Sequence, residues 1–437
     1  MDAVGMYAAL LLFSVLFATL FIGVPIAVCL LISSWAALFF FEGRTNMVVL
    51  VQRMFVGADN YVFMAVPFFL LAGEIMLKGG ISVRLVNFAK VVFWWLPATL
   101  ANITTVASAF FGAISGSNPA TVAAIGGTMV PTMVKEGYPK DLASAIAASS
   151  GTLGVIIPPS IPMVIYGITA SVSVTKLFIG GLLPGIALAT LICLVNVLVC
   201  RKYSRPVSES KAALEASGMT FKKTFTEAIW ALLMPLIILG GIYSGFFTPT
   251  EAAVISVFYA LWVGMFIYKE LKWSDLAPLF ERAALNTGMI LFVVAACAPF
   301  AWFMTSQGIP GKIAVMVLNA VENPTMLILC INVILLFLGL FLDTGVIILL
   351  ITPIMLPIAA SAGISPLALG LIMVINTSVG MITPPMAVNL YVATRLSGCT
   401  VEQISRRVLP FLFAEALFVI IISNFPALLE WLPNKIG

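Results

Sequence analysis

Apolar runs long enough to cross a lipid bilayer recur along almost the whole chain. Residues 62–77, 177–200, 228–244, 249–268 and 287–305 each come close to the roughly 20 residues that a spanning α-helix needs. Because only 9% of the 437 residues are charged and 62% are hydrophobic, polar groups cannot cover the exterior, and most of it must face lipid. The sequence therefore predicts an all-α polytopic membrane protein and excludes a water-soluble enzyme.

The apolar runs divide into ten predicted crossings and two re-entrant hairpins. Residues 3–41 are long enough for two crossings joined at Gly23-Val24-Pro25, and further crossings are predicted at 139–169, 366–394 and 408–425. Two other stretches are too long for one span and carry a polar break at their centre. We interpret them as hairpin one, at about 97–134, and hairpin two, at about 324–361.

Basic residues give the predicted orientation. The longest hydrophilic stretch, 201–227, carries six lysines and arginines, which places it in the cytoplasm by the positive-inside rule. Counting crossings from this segment puts 17 of the 22 basic residues on the cytoplasmic side. Both termini then lie on the periplasmic side.

The second half of the chain repeats the first at an offset of about 226 residues. Glycines, prolines and apolar residues recur in the same order on both sides of the polar breaks. This favours an internal repeat over the alternative that any apolar chain contains such helix-breaking residues. The aligned pairs are Phe111/Phe337, Met129/Met355, Pro131/Pro357, Gly137/Gly363, Gly154/Gly380, Ile156/Ile382 and Pro158-Pro159/Pro384-Pro385.

The repeat divides the chain into residues 1–200, a cytoplasmic linker at 201–227, and residues 228–437. Each half contains five predicted crossings and one hairpin. Because five is odd, the two halves must lie in the membrane with opposite orientations, the inverted repeat of many secondary transporters.

Each half also contains a span that a double proline must interrupt. Proline lacks an amide hydrogen and disfavours helical geometry in the residue before it, so Pro158-Pro159 and Pro384-Pro385 leave carbonyl groups without helical partners. Within a bilayer such groups are tolerated where they line a cavity or meet an ion. We expect broken helices at 139–169 and 366–394.

The hairpin tips add oxygen ligands to these breaks. Ser115, Ser117 and Asn118 lie at the first tip, and Asp343 and Thr344 lie at the second. A carboxylate in the bilayer costs about 2.5–3.5 kcal/mol and needs a proton or a cation, and hard oxygen donors suit an alkali ion. We therefore predict that Asp343 binds sodium. The alternative is that it only caps the helix that follows, and the two roles are compatible.

Other charged or polar features receive simpler interpretations. Glu415 lies inside a span, and we favour an interhelical or partner contact over a role in a transport pathway. The amphipathic stretches 48–60, 81–95 and 272–286 are expected to lie along the membrane interfaces. An intramembrane enzyme is disfavoured, because the chain has no histidine and no second carboxylate opposes Asp343.

Three motifs together resemble a known family. They are FFGAISGSNPAT at 110–121, GVIIPPSIPMVI at 154–165 and TPTEAA at 248–253. These segments are similar to those of the large membrane subunit of the tripartite ATP-independent periplasmic (TRAP) transporters, and the resemblance extends over essentially the whole chain.

The resemblance implies a function, partners and sites. It implies a sodium-driven importer of organic acids such as C4-dicarboxylates or sialic acid, located in the bacterial inner membrane and working by an elevator mechanism. The implied partners are a small four-helix membrane subunit and a periplasmic substrate-binding protein. The implied sodium ligands are Ser115, Ser117, Asn118, Gly151 and Gly154 at one site and Gly339, Asp343, Thr344, Thr377 and Ser378 at the other, with substrate near Pro158, Ser160, Thr383 and Asn389.

A second function remains open at this stage. A sodium- or proton-coupled anion transporter of a related elevator fold, working without partners, would carry the same broken helices. A requirement for a soluble partner separates the two. The sequence leaves the transported acid, the sodium stoichiometry and the oligomeric state open.

Overall fold

The computed structural model describes residues 3–42, 47–203, 218–321 and 323–436, together with 209, 215 and 216. All regular structure in these residues is helical. Part of the predicted linker 201–227, including Arg205 and Lys211, lies outside the described residues.

The helices of the first half are Ala3–Phe21, Ile26–Phe41, Met47–Ala58, Ala65–Lys78, Ile81–Val92, Thr99–Ser115, Asn118–Lys135, Lys140–Ser150, Leu153–Ile156, Ile161–Thr169 and Val174–Cys200. Those of the second half are Phe221–Tyr243, Pro249–Trp262, Trp273–Ser306, Ile309–Ala320, Pro324–Gly339, Thr344–Ser361, Pro366–Gly380, Val388–Ser397, Val401–Ser423 and Pro426–Ile436. A 3₁₀ turn at Tyr61–Met64 precedes the fourth helix, and a π turn at Val263–Ile267 extends Pro249–Trp262.

Six helices in the described residues are long and apolar enough to cross a membrane, and up to eight if each of two bent helix pairs counts as one span. The polytopic, all-helical class is confirmed. The predicted number of ten crossings also counts shorter apolar helices, among them Gly5–Phe21 and Ile26–Phe41, and it stays a prediction.

Both double prolines interrupt their helices, as the sequence predicts. Lys140–Ser150 gives way to the short helix Leu153–Ile156, and the chain bends by 42° before Ile161–Thr169. Pro366–Gly380 ends before the second double proline, and the next helix begins at Val388. We call residues 151–160 break one and residues 377–387 break two.

The helix bounds follow the offset seen in the sequence. The second arm of hairpin one, Asn118–Lys135, and that of hairpin two, Thr344–Ser361, both contain 18 residues and begin at positions 226 residues apart. Ile81–Val92 and Ile309–Ala320 both contain 12 residues and directly precede the hairpins. The element order is therefore the same around each hairpin and break.

One interfacial segment was predicted wrongly. Residues 272–286 were expected to lie along a membrane interface, apart from the span predicted at 287–305, but residues 273–286 are the first turns of a single helix, Trp273–Ser306, of 34 residues. Pro278 lies inside this helix without interrupting it, as does Pro299 further along. The helix therefore continues through the charged segment into the apolar span.

The helices form two groups. We call Ile26–Phe41, Met47–Ala58, Ala65–Lys78, Pro249–Trp262 and Trp273–Ser306 the frame. Trp273–Ser306 contacts Ile26–Phe41, Met47–Ala58 and Ala65–Lys78, and the last of these packs on Pro249–Trp262. The hairpin arms and the helices around the two breaks pack mainly on one another. This arrangement brings both hairpin tips together beside the frame.

Candidate functional site

The first hairpin tip folds directly onto break one. The Ser115 and Thr121 hydroxyl oxygens lie 3.0 Å apart, and the Thr121 hydroxyl donates to the Ser117 carbonyl oxygen at 2.8 Å. A Cβ atom at Gly154 would lie 2.6 Å from that same carbonyl oxygen, so the contact needs glycine. Gly151 lies one turn away, where a Cβ would overlap Val122 of the hairpin.

Asn118 joins this tip to both breaks. Its side-chain amide donates to the Ser378 hydroxyl at 2.7 Å, and its Oδ1 accepts from the Val155 amide at 2.9 Å. The Ser378 hydroxyl donates in turn to the Thr152 carbonyl oxygen at 2.7 Å. Asn118, Thr152 and Ser378 are each fully buried. Ser378, which the sequence grouped with hairpin two, therefore contacts hairpin one.

The second tip lies against break two in a similar way. A Cβ atom at Gly339 would lie 2.7 Å from the Gly380 Cα and 3.3 Å from the Thr377 carbonyl oxygen. The Thr344 hydroxyl lies 3.5 Å from the Met381 sulfur. The Thr377 hydroxyl itself bonds within its own helix, to the Met373 carbonyl oxygen.

Asp343 caps the second arm of hairpin two. Its Oδ2 accepts from the Gly345 amide at 3.0 Å, at the start of Thr344–Ser361. The capping role considered from sequence is therefore confirmed. Asp343 also lines the cavities beside the tips, and its second predicted role, as a sodium ligand, stays a prediction.

Two adjoining cavities lie between the tips and the frame. The larger, about 520 Å³, is bounded by tip residues including Asn118, Asp343 and Thr344, and by Leu70 and Met289 of the frame. The smaller, about 460 Å³, adds Glu74 and Ser115. Both hairpin tips thus face a shared space of the size of a small-molecule site.

The four residues predicted to contact substrate are not on the walls of this space. Ser160 accepts from the Met163 amide at the start of Ile161–Thr169, and Thr383 bonds to the Val379 carbonyl oxygen. Asn389 is fully buried and donates to the Ala148 carbonyl oxygen at 3.2 Å. Neither these three nor Pro158 lines either cavity in the part of the chain that the structure describes. Their assignment to substrate stays a prediction.

Three residues at the site were not predicted as site residues from the sequence. Thr121 lies one helical turn after Ser117, a spacing that could have identified it. Thr152 is adjacent to Gly151, and Met381 follows Gly380, but only their long-range contacts distinguish them. The Met381 sulfur accepts hydrogen bonds from the Asn118 side-chain amide and from the Thr344 hydroxyl.

Glu415 supports break one from outside the cavities. It is fully buried on Val401–Ser423, and its Oε2 accepts from the Thr152 hydroxyl at 3.0 Å. The interhelical contact expected of this residue is confirmed. A chain of hydrogen bonds thus runs from Glu415 through Thr152 to Ser378 and Asn118.

Replacing Ser378 by alanine is expected to lower the free energy of unfolding by about 1–3 kcal/mol, because the buried Asn118 amide and Thr152 carbonyl each lose a partner. Thermal unfolding of the purified, detergent-solubilised protein measures the change. Ser144→Ala is the matched control, since Ser144 is equally buried but bonds to Lys140 of its own helix. Equal melting temperatures for the two variants would contradict the bridging role.

Comparison with known proteins agrees with this architecture. Residues 13–428 match the family model described as the DctM component of the tripartite ATP-independent periplasmic transporter. The C4-dicarboxylate TRAP transporter large permease protein of Pseudomonas aeruginosa is 39% identical over 89% of this chain and 90% of its own length. The sialic acid TRAP transporter large permease protein of Vibrio cholerae is 33% identical over 95% of this chain and 96% of its own length.

A solved structure shares the fold. The YdaH transporter of Alcanivorax borkumensis superposes with a TM-score of 0.61 over 89% of this chain and 90% of that chain, at 14% sequence identity. With the family model covering nearly all of the sequence and the permeases aligned over most of their length, this chain belongs to the DctM-component family of tripartite ATP-independent periplasmic transporters.

Proposed function

We propose that this chain is the large membrane subunit of a sodium-coupled importer of a small organic acid in the bacterial inner membrane. The observation that carries the proposal is that tip one meets both helix breaks through Asn118, Ser378 and Thr152, while tip two joins the same group through Thr344, whose hydroxyl and the Asn118 amide both bond to the Met381 sulfur. Such a meeting gathers hydroxyl, amide and carbonyl oxygens with one carboxylate, a donor set that suits a hard cation such as sodium.

The coupling ions are proposed to bind where each tip meets a break. The first ion would be held by the Ser115, Ser117, Asn118, Gly151 and Gly154 group, and the second by the Gly339, Asp343, Thr344, Thr377 and Ser378 group. Each sodium ion carried inward contributes about 2.3 kcal/mol per 100 mV of membrane potential. Two ions would therefore drive accumulation of an acid that carries one negative charge.

The proposed mechanism uses two halves of opposite orientation. Support comes from Thr152 and Ser378, which occupy equivalent positions 226 residues apart and contact each other. Equivalent residues meet in this way where a two-fold axis relates two repeats. Hairpin one would open to the cytoplasm and hairpin two to the periplasm, while their domain moves as an elevator against the frame.

Two partners are proposed. The related large permeases are named as TRAP transporter components, and a tripartite system needs two further proteins. We propose a small four-helix membrane subunit beside the frame and a soluble periplasmic protein that delivers the substrate. The termini would both lie in the periplasm.

Uptake into proteoliposomes tests this function. The chain and its small subunit, with the periplasmic binding protein added outside, should accumulate the labelled acid when sodium is present outside and not when choline replaces it. Uptake that is equal in sodium and in choline would refute the coupling. Sodium-driven uptake that ignores the binding protein would instead support the partner-independent transporter.

A further inference from the structure

We infer that the transported acid is a monocarboxylate with an apolar body, rather than a dicarboxylate or a polyhydroxylated acid. This inference rests on the proposed function, because it takes the larger cavity as the substrate site. Its basis is the distribution of charge and of polar atoms on the cavity wall.

The charge on the cavity walls favours one substrate carboxylate at most. The described residues that line the two cavities include no lysine or arginine, but they include the carboxylates of Asp343 and Glu74. A substrate anion must therefore be neutralised by the coupling ions. A second carboxylate on the substrate would enter a low-dielectric space whose described wall has no positive side chain and one negative one, Asp343, with Glu74 on the adjoining smaller cavity.

Among the described residues on the wall of the larger cavity, only four carry polar side chains. They are Ser117, Asn118, Asp343 and Thr344, all at the two hairpin tips. The substrate carboxylate must lie beside these four, because the rest of the described wall is built from prolines, glycines and apolar side chains. The apolar lining includes Val155, Ile161, Ile165, Val293, Val346 and Leu349.

Two of these four polar side chains already have hydrogen-bond partners within the protein. The Asn118 amide already donates to Ser378 and accepts from Val155, and the Thr344 hydroxyl already meets Met381. A substrate rich in hydroxyl groups would leave most of them without partners against the apolar wall, which strongly disfavours its binding. An alkyl or aryl body meets that wall without such a loss.

The inference is tested by measuring how tightly each of a set of acids binds to the full-length chain, purified with its small subunit in sodium buffer. The matched probes are α-ketoisocaproate and α-ketoglutarate, which share a 2-oxo acid head and differ in a branched alkyl end or a second carboxylate. We expect α-ketoisocaproate to bind at least about tenfold more tightly, and N-acetylneuraminate and succinate to bind as weakly as α-ketoglutarate.

A variant makes the test specific to this cavity. Met289→Arg places a cation on the cavity wall and should shift the preference toward α-ketoglutarate by about tenfold. Leu285→Arg is the matched control, since both side chains are 62% exposed on the same helix and Leu285 is not on the cavity wall. The control should leave the preference unchanged.

The outcomes separate this inference from the proposed function. Sodium-dependent binding that favours α-ketoglutarate, succinate or N-acetylneuraminate in the unmodified protein would overturn the inference and leave sodium-coupled transport intact. Acid binding that does not depend on sodium would overturn both. No binding of any acid in the panel would overturn the inference alone, because the proposed function assigns delivery of the substrate to the periplasmic protein.

Discussion

Replacing Asp343 by alanine is expected to abolish sodium-driven uptake while the protein remains folded in the membrane. If the Asp343 carboxylate binds a coupling ion, its removal costs about 3 kcal/mol, or roughly a 150-fold loss of sodium affinity. Alanine also removes the cap on Thr344–Ser361, at a cost of about 1 kcal/mol. The sodium dependence of uptake and the melting temperature measure the two effects separately.

The variant Asp343→Asn separates the effect of losing the carboxylate charge from the effect of losing the helix cap. Asparagine caps a helix as well as aspartate does but carries no charge, so this variant should keep its melting temperature and still lose sodium-driven uptake. Asn323→Ala is the complementary control, because Asn323 caps the first arm of the same hairpin through the Thr325 amide. It should lose stability but keep the sodium dependence. Full activity of Asp343→Asn would remove Asp343 from the ion site.

Alanine at Gly154 or at Gly380 is expected to stop transport and to destabilise the fold by about 1–3 kcal/mol. The new Cβ would lie 2.6 Å from the Ser117 carbonyl oxygen in the first case and 2.7 Å from the Gly339 Cα in the second. Since both obstacles are backbone atoms, the hairpin tip must move away from the break. Uptake assays and thermal unfolding measure the consequences.

Gly240→Ala supplies the control for both glycine variants. Gly240 lies within Phe221–Tyr243 and has open space where a Cβ would be added. Its replacement should leave uptake unchanged and, by removing helix-disfavouring glycine, should not lower stability. Wild-type uptake by Gly154→Ala would show that close contact between tip one and break one is dispensable.

The hairpins and breaks could be located from the sequence because their causes are local. Hairpin one was predicted at about 97–134 and its arms run from Thr99 to Lys135; hairpin two was predicted at 324–361 and its arms are Pro324–Gly339 and Thr344–Ser361. Proline and glycine act on the backbone of their own helix, wherever the rest of the chain lies. The same local reasoning failed at 272–286, where charged residues belong to a helix that continues into the membrane.

The cavity wall was not predictable in the same way. Leu70, Met289 and Val293 come from frame helices that the sequence marks only as apolar spans, and nothing local shows which of their faces meets the hairpin tips. The four residues predicted for substrate lie in or next to the breaks, but none of them is on the wall of either cavity. The Ser160, Thr383 and Asn389 side chains bond to backbone groups instead. Which face of a helix meets the cavity depends on the other helices that pack against it.

Apolar length and proline positions suffice to predict that this chain crosses a membrane and where its helices break, because both act within a single segment. Which oxygen atoms meet depends on how distant segments pack together. Asn118 reaches Ser378 across 260 residues, and Thr152 reaches Glu415 across 263. Such pairs form because buried polar groups must find partners inside the protein when lipid offers none, and the packing of the two halves selects which partners are within reach.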